Sequence, residues 1–92
     1  MRLKLNGMTY KIKIYRKAQK QLAKLPADDY KKVKQAILSL ADNPRPSGVK
    51  KLKGLSGFRI RKGDYRIIYE IYDDEITITV INIGHRKDIY RI

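Results

Sequence analysis

Apolar and polar residues alternate from Tyr10 to Ile14, with Lys11 and Lys13 set between Tyr10, Ile12 and Ile14. A period of two is that of a strand with one face buried. The period then changes. Ala18, Leu22 and Leu25 follow at spacings of four and three, a helical repeat. Pro26 stops this helix, and its preset φ suits the opening of a second. Asp28 and Asp29 fall in the new first turn, where the helix dipole favours negative charge. Tyr30, Val33, Ile37, Leu40 and Ala41 then draw an apolar stripe along the second helix. Asn43-Pro44-Arg45-Pro46-Ser47-Gly48 is a cluster of breakers and reads as a loop. Neither side of it holds enough apolar residues to stand alone, so it joins two halves of one domain.

Beyond the loop the pattern is β. Residues 57–62, 65–72 and 75–83 are strand-like runs separated by Gly63-Asp64 and Asp73-Asp74. A two-residue turn at Gly63-Asp64 sets Lys62 opposite Tyr65, Arg61 opposite Arg66, Ile60 opposite Ile67 and Phe58 opposite Tyr69. A second two-residue turn at Asp73-Asp74 sets Ile71 opposite Ile76, Tyr69 opposite Ile78 and Ile67 opposite Val80. Both pairings gather the apolar residues on one face, which is how a buried face specifies register. The fold class is α+β: one strand, a two-helix hairpin, then an antiparallel three-strand meander. The helices pack on one face of the sheet, and a short C-terminal tail follows, read as a single helical turn or an extended end. The domain spans 1–92, with Met8 as an internal start and residues 1–9 as a flexible leader.

The chain has 92 residues, of which 42% are hydrophobic, enough for a lean core. Its 22 Lys and Arg against 9 Asp and Glu give a net charge of +13. Charge of that sign and size serves either solubility or attraction to a polyanion such as nucleic acid. There is no Cys and a single His, which excludes disulfides, thiolate chemistry and Cys- or His-rich metal sites. No run is long and apolar enough for a membrane span, and residues 1–7 lack the apolar run of a secretory signal. A cytoplasmic protein with no membrane partner is the expectation.

The register has an electrostatic consequence. Arg61 and Arg66 oppose each other on the face left uncovered by the helices, with Arg59 two residues along and Glu70 toward the far end. Like charges facing across strands destabilise a sheet. The last strand runs back toward this end and delivers Gly84, His85 and Arg86 there, with Tyr90 four residues on. Any one of these arginines alone reads as a solvated surface residue. Together they read as a phosphate grip, because each planar guanidinium donates paired hydrogen bonds to an anion. Lys50, Lys51 and Lys53 extend the basic surface as RNA contacts. The sequence holds no phosphate-cradling Gly-rich loop, no carboxylate cluster for a metal, and no Ser or Cys nucleophile constellation. An enzyme built this way is expected to need neither metal nor cofactor.

The order of elements resembles the RelE family of bacterial and archaeal toxins, within the RelE/ParE superfamily. The resemblance is carried by Lys51-Leu52-Lys53-Gly54-Leu55, Phe58-Arg59-Ile60-Arg61, Gly63-Asp64-Tyr65-Arg66-Ile67-Ile68-Tyr69 and Ile83-Gly84-His85-Arg86-Lys87-Asp88-Ile89-Tyr90. It implies a ribosome-dependent endoribonuclease that cuts mRNA in the ribosomal A site, by attack of the ribose 2′-OH on the adjacent phosphate. It implies a RelB-like antitoxin as partner, with Ile81 and Ile89 as candidate contacts. Arg66 and Arg86 match phosphate-stabilising arginines of the family, and Tyr90 matches a tyrosine that orients the substrate. Arg59 and Arg61 stand where the best-known members have Lys. Arginine is never deprotonated in proteins, so these two are read as electrostatic stabilisers. His85, whose side-chain type titrates near neutrality, is the first candidate for proton transfer, and Tyr90 the second. Two other readings remain open at this point: a ParE-like inhibitor of DNA gyrase, and a non-catalytic basic module that binds RNA or the ribosome.

Overall fold

The computed structural model describes residues 9–53 and 57–85. The expectations for the leader, Arg86, Ile89, Tyr90 and the tail fall largely or wholly outside these residues. In chain order the elements are β1 (Lys11–Ile14), α1 (Arg16–Ala23), α2 (Ala27–Ser39), β2 (Lys50–Lys51), β3 (Phe58–Lys62), β4 (Tyr65–Tyr72) and β5 (Thr77–His85). The strands form one sheet in the order β1-β5-β4-β3-β2. The meander β3-β4-β5 is antiparallel as the pattern predicts. β1 adds to it in parallel alongside β5, so the sheet is mixed. β2 is a strand that alternation does not reveal, because two residues carry no period.

Pro26 organises the helical hairpin. Its carbonyl accepts the first α2 hydrogen bond, from Tyr30 N–H at 2.8 Å, where its own missing N–H costs nothing. Asp28 and Asp29 stand in the first turn of α2, as expected. Val33, Ile37 and Leu40 are buried, and so are Ala18 and Leu22 of α1. They share one core with Ile60, Ile67, Tyr69, Ile78, Val80 and Ile83 of the sheet, while Leu25 and Tyr30 pack on its margin. The helices thus cover one face. Each buried valine, leucine or isoleucine among them contributes about 1.5–3 kcal/mol by leaving water.

The second hairpin departs from expectation. Asp73-Asp74 does not close a two-residue turn; the loop runs through residues 73–76, with Ile76 N–H bonded to Asp73 O at 3.1 Å. Ile76 takes φ +50, unusual for a β-branched residue. Its carbonyl is engaged by Lys11 N–H at 2.8 Å, so the parallel strand β1 holds the longer loop in place. Ile71 therefore faces Ile78, and Tyr69 faces Val80. The shift of two keeps Tyr69, Ile71, Ile78 and Val80 on the face expected for them.

A bulge then adds one more residue. Ile68 faces Asn82 and Tyr69 faces Val80, so Ile81 is the extra residue on β5. Without it, alternation from Val80 would aim Asn82 at the helices and Ile83 away. With it, Ile83 faces Ile67 and is 2% exposed. Burying an isoleucine on the core face is the gain that offsets the broken ladder.

Candidate active site

The Gly63-Asp64 turn sets the geometry of the site. Gly63 has φ +60, a conformation that L side chains rarely adopt. The register on either side of it is the expected one: Lys62 faces Tyr65, Arg61 faces Arg66, Ile60 faces Ile67 and Phe58 faces Tyr69. Alternation places Arg59, Arg61 and Arg66 on the face away from the helices. β2 contributes Lys50, directly across from Arg59. Two cross-strand pairs of like charge therefore stand side by side, Lys50 with Arg59 and Arg61 with Arg66. Glu70, expected on this face, accepts a hydrogen bond from the Tyr72 hydroxyl near the other end of β4.

The face is not open along its length. Arg66 is 1% exposed and Thr77, Thr79 and Asn82 are also buried, which corrects the expectation of an uncovered surface. The covering is local: Arg66 of β4 is buried, while Ile68 and Glu70 on the same face of that strand are half-buried, and Arg61 and Arg59 of β3 are exposed and half-buried. A buried guanidinium is held by its surroundings before any ligand arrives, and such a cation stabilises charge with little reorganisation.

β2 covers only Phe58 and Arg59, so β3 from Ile60 onward has no strand on that edge among the described residues. A cleft of about 490 Å³ opens there, lined by Pro46, Ser47, Gly48, Lys50, Arg59, Ile60 and Arg61. Its loop wall is pinned from behind. Tyr69 Oη donates to Pro44 O at 2.7 Å, and burial pushes this phenol up to about 12. Arg45 bonds Asp73 at 2.9 Å and lies 5.6 Å over the Phe58 ring. Tyr10 Oη donates to the other Asp73 oxygen at 2.7 Å. The Arg45 guanidinium and the Tyr10 hydroxyl together hold the Asp73 carboxyl below its usual range. Arg45 is thus a loop anchor rather than a member of the cationic cluster.

β5 reaches the arginines as expected, with Gly84 across from Arg66 and His85 across from Tyr65. The His85 ring meets Tyr65 edge-on at 5.7 Å, and Tyr65 Oη donates to Asp29 of α2 at 3.0 Å. That hydrogen bond raises the Tyr65 phenol above its ordinary pKa. His85 is therefore placed with Tyr65, on the opposite side of the sheet from Arg66.

Of the site residues expected from sequence, the structure brings together Arg59, Arg61, Arg66 and Lys50. Lys51 pairs with Phe58 and so points to the other face, and Lys53 is exposed in the turn after β2. Arg86 and Tyr90 lie outside the described residues. Sequence reasoning missed the wall formed by Pro46, Ser47 and Gly48, which reads as a plain connection; its one signal is the basic run that follows. Among the described residues, no three His, Cys, Asp or Glu side chains stand close enough to share a metal ion. No helix among them is long and apolar enough to cross a membrane. The arrangement is suited to holding a phosphodiester and stabilising extra negative charge on it, with proton transfer left to groups other than the arginines.

Residues 12–90 match the family of ParE toxins of the type II toxin–antitoxin system parDE. The chain is 34% identical to toxin RelG of Mycobacterium tuberculosis over 86 residues, covering 91% of this chain and 99% of that protein. It is 25% identical to the mRNA interferase toxin RelE of Escherichia coli over 83 residues, covering 87% of this chain and 86% of that one. Its fold is similar to the crystal structure of the archaeal RelE–RelB complex from Pyrococcus horikoshii. There the TM-score is 0.77 at 32% identity, over 86% of this chain and 97% of that one. The fold, the paired arginines and these likenesses agree: the chain belongs to the RelE family of type II toxin–antitoxin toxins, within the RelE/ParE superfamily.

Proposed function

We propose that this toxin is a metal-independent endoribonuclease that cuts mRNA in the ribosomal A site. The observation that carries the reading is two adjacent cross-strand pairs of like charge, Lys50 across from Arg59 and Arg61 across from Arg66, beside an open cleft. Such pairs cost stability in the free protein and are relieved by a bound polyanion. The E. coli relative is named an mRNA interferase, which supports RNA as the polyanion for this surface.

In this mechanism the ribose 2′-oxygen attacks the adjacent phosphorus as its proton leaves to a base. The bond to the 5′-oxygen breaks, and that oxygen takes a proton. The products are a 2′,3′-cyclic phosphate and a 5′-hydroxyl. Arg66 supplies the fixed charge at the developing dianionic phosphorane, and Arg61 and Arg59 hold its non-bridging oxygens from the cleft side. By family resemblance Arg86 joins this grip, and Tyr90 orients the attacking nucleotide. Lys50 shares the cleft, while Lys51 and Lys53 contact RNA phosphates beyond it. His85 is the candidate for proton transfer, with Tyr90 as the alternative; its place beside Tyr65 makes that role one to be tested directly. The working partners are the ribosome with its A-site mRNA and a RelB-like antitoxin, the partner seen with the P. horikoshii RelE. A ribosomal substrate places the toxin in the cytoplasm.

The test uses programmed ribosomes and mRNA with a phosphorothioate at the scissile position. Codon-phased cuts, slowed by sulfur equally in Mg²⁺ and Mn²⁺, are expected. Rescue by Mn²⁺ overturns the metal-free step. Uncut mRNA overturns the enzyme, and blocked DNA supercoiling in its place identifies a gyrase inhibitor.

A further inference from the structure

β5 has two edges. Toward β4 it is paired from Thr77 to His85. Toward β1 the pairing ends at Val80, where Tyr15 N–H bonds Val80 O at 3.0 Å and the chain turns into α1. The next residue, Ile81, is the extra one of the bulge. A bulged strand end with no strand on one edge among the described residues is where a one-residue slip is least opposed, and a slip reverses every side chain beyond it. Here it would move Ile83 out of the core and Gly84 away from Arg66.

Gln21 of α1 occupies the missing place. Its Oε1 accepts a hydrogen bond from Ile83 N–H at 2.7 Å. Its Nε2 donates to Asn82 Oδ1 at 2.7 Å. A backbone N–H only donates, so Ile83 fixes which end of the Gln21 amide is oxygen, and the nitrogen end in turn fixes the Asn82 oxygen. One primary amide thus gives Ile83 N–H the acceptor that a neighbouring strand would have offered, and its donor ties the Asn82 side chain to the same group. Lysine, the residue at positions 17 and 20 of α1, has no acceptor for Ile83 N–H.

We infer that Gln21 is a positioning residue for the cleavage reaction. It locks the bulge-shifted register of β5 and so sets Gly84 across from Arg66 and His85 against Tyr65. The inference rests on the endoribonuclease reading above and adds a residue remote from the arginines to it.

Two variants separate positioning from simple structural support. Gln21→Leu keeps the volume and removes both hydrogen bonds. Gln21→Glu keeps an acceptor for Ile83 N–H, and Asn82 can rotate its amide to donate to the other carboxylate oxygen. Amide exchange in the free protein reads the strand end at Ile83, with Ile37 of α2 as the reference for global opening. Single-turnover cleavage on ribosomes reads the maximal rate and the half-saturating ribosome concentration. In Gln21→Leu, Ile83 is expected to exchange about tenfold faster relative to Ile37. Its maximal cleavage rate is expected to fall about 10²-fold with little change in half-saturation. Gln21→Glu is expected to restore most of both. Unchanged Ile83 exchange, or equal losses of maximal rate in the two variants, overturns the inference. If the wild-type protein leaves mRNA uncut, the endoribonuclease reading fails. The exchange data then uphold or overturn the hold of Gln21 on the strand end by themselves.

Discussion

Arg61 and Arg66 face each other across the β3–β4 ladder, one exposed and the other 1% exposed. A sheet arranged for stability alone would not place them so, since directly opposed like charges cost roughly 0.2–1 kcal/mol. Arg61→Ala is therefore expected to raise the urea midpoint of the free protein while slowing cleavage. Chemical denaturation and single-turnover cleavage measured on the same preparation check both directions. A variant that loses stability together with activity would show that the pair supports the fold instead.

Gly63 makes that confrontation obligatory. Its φ of +60 admits glycine freely, whereas an alanine there pays about 1–2 kcal/mol. Gly63→Ala is expected to lower stability by that amount, and Gly63→Asn by less, because asparagine tolerates the left-handed region. Thermal unfolding of the two variants gives the order.

The loop wall of the cleft is expected to weaken at high pH through Tyr69. Its phenol is pushed up to about 12 by burial, above an ordinary value near 10. A raised folded pKa contributes stability that is fully present below about pH 10 and is lost as pH rises toward 12. Tyr69→Phe removes the Tyr69 share of the alkaline limb and also the hydrogen bond to Pro44 O, at a cost of about 1 kcal/mol near neutrality. Unfolding curves of both proteins from pH 7 to 11 test it.

Asp73 works in the opposite sense. Its carboxyl is held below the usual range by Arg45 and Tyr10. A lowered folded pKa contributes stability that is present above the ordinary carboxylate value and is lost as pH falls through the folded one. Asp73→Asn is expected to flatten the acid limb of the stability profile. It is also expected to speed amide exchange at Val49, whose N–H bonds Pro46 O within the loop. An acid limb identical to that of the wild type would contradict this.

How far the sequence carried depends on where each constraint lies. The β3–β4 register was legible because Gly63-Asp64 and the alternation on both sides are local and agree. The helical hairpin was legible from Pro26 and the spacing of Val33, Ile37 and Leu40. The β4–β5 register was not. Ile76 adopts its left-handed conformation while its carbonyl is engaged by Lys11, and Ile81 bulges where Gln21 bonds the strand end; both partners are sixty or more residues away in the chain. Lys50 was read as a general RNA contact, because its pairing with Arg59 needs a two-residue strand that no periodicity announces. The burial of Arg66 was not legible, because alternation shows which face a side chain takes and not what covers that face. His85 reached the expected end of the sheet, but the bulge sets which side its ring takes.

The most direct measurement is the rate of A-site mRNA cleavage on programmed ribosomes for the wild type, Arg61→Ala and Arg66→Met, each shown to be folded by circular dichroism. If these guanidiniums stabilise the scissile phosphate, the wild type cuts in phase with the codon. Each variant then loses about 10²-fold or more in maximal rate. Cleavage by both folded variants at the wild-type rate would contradict the account.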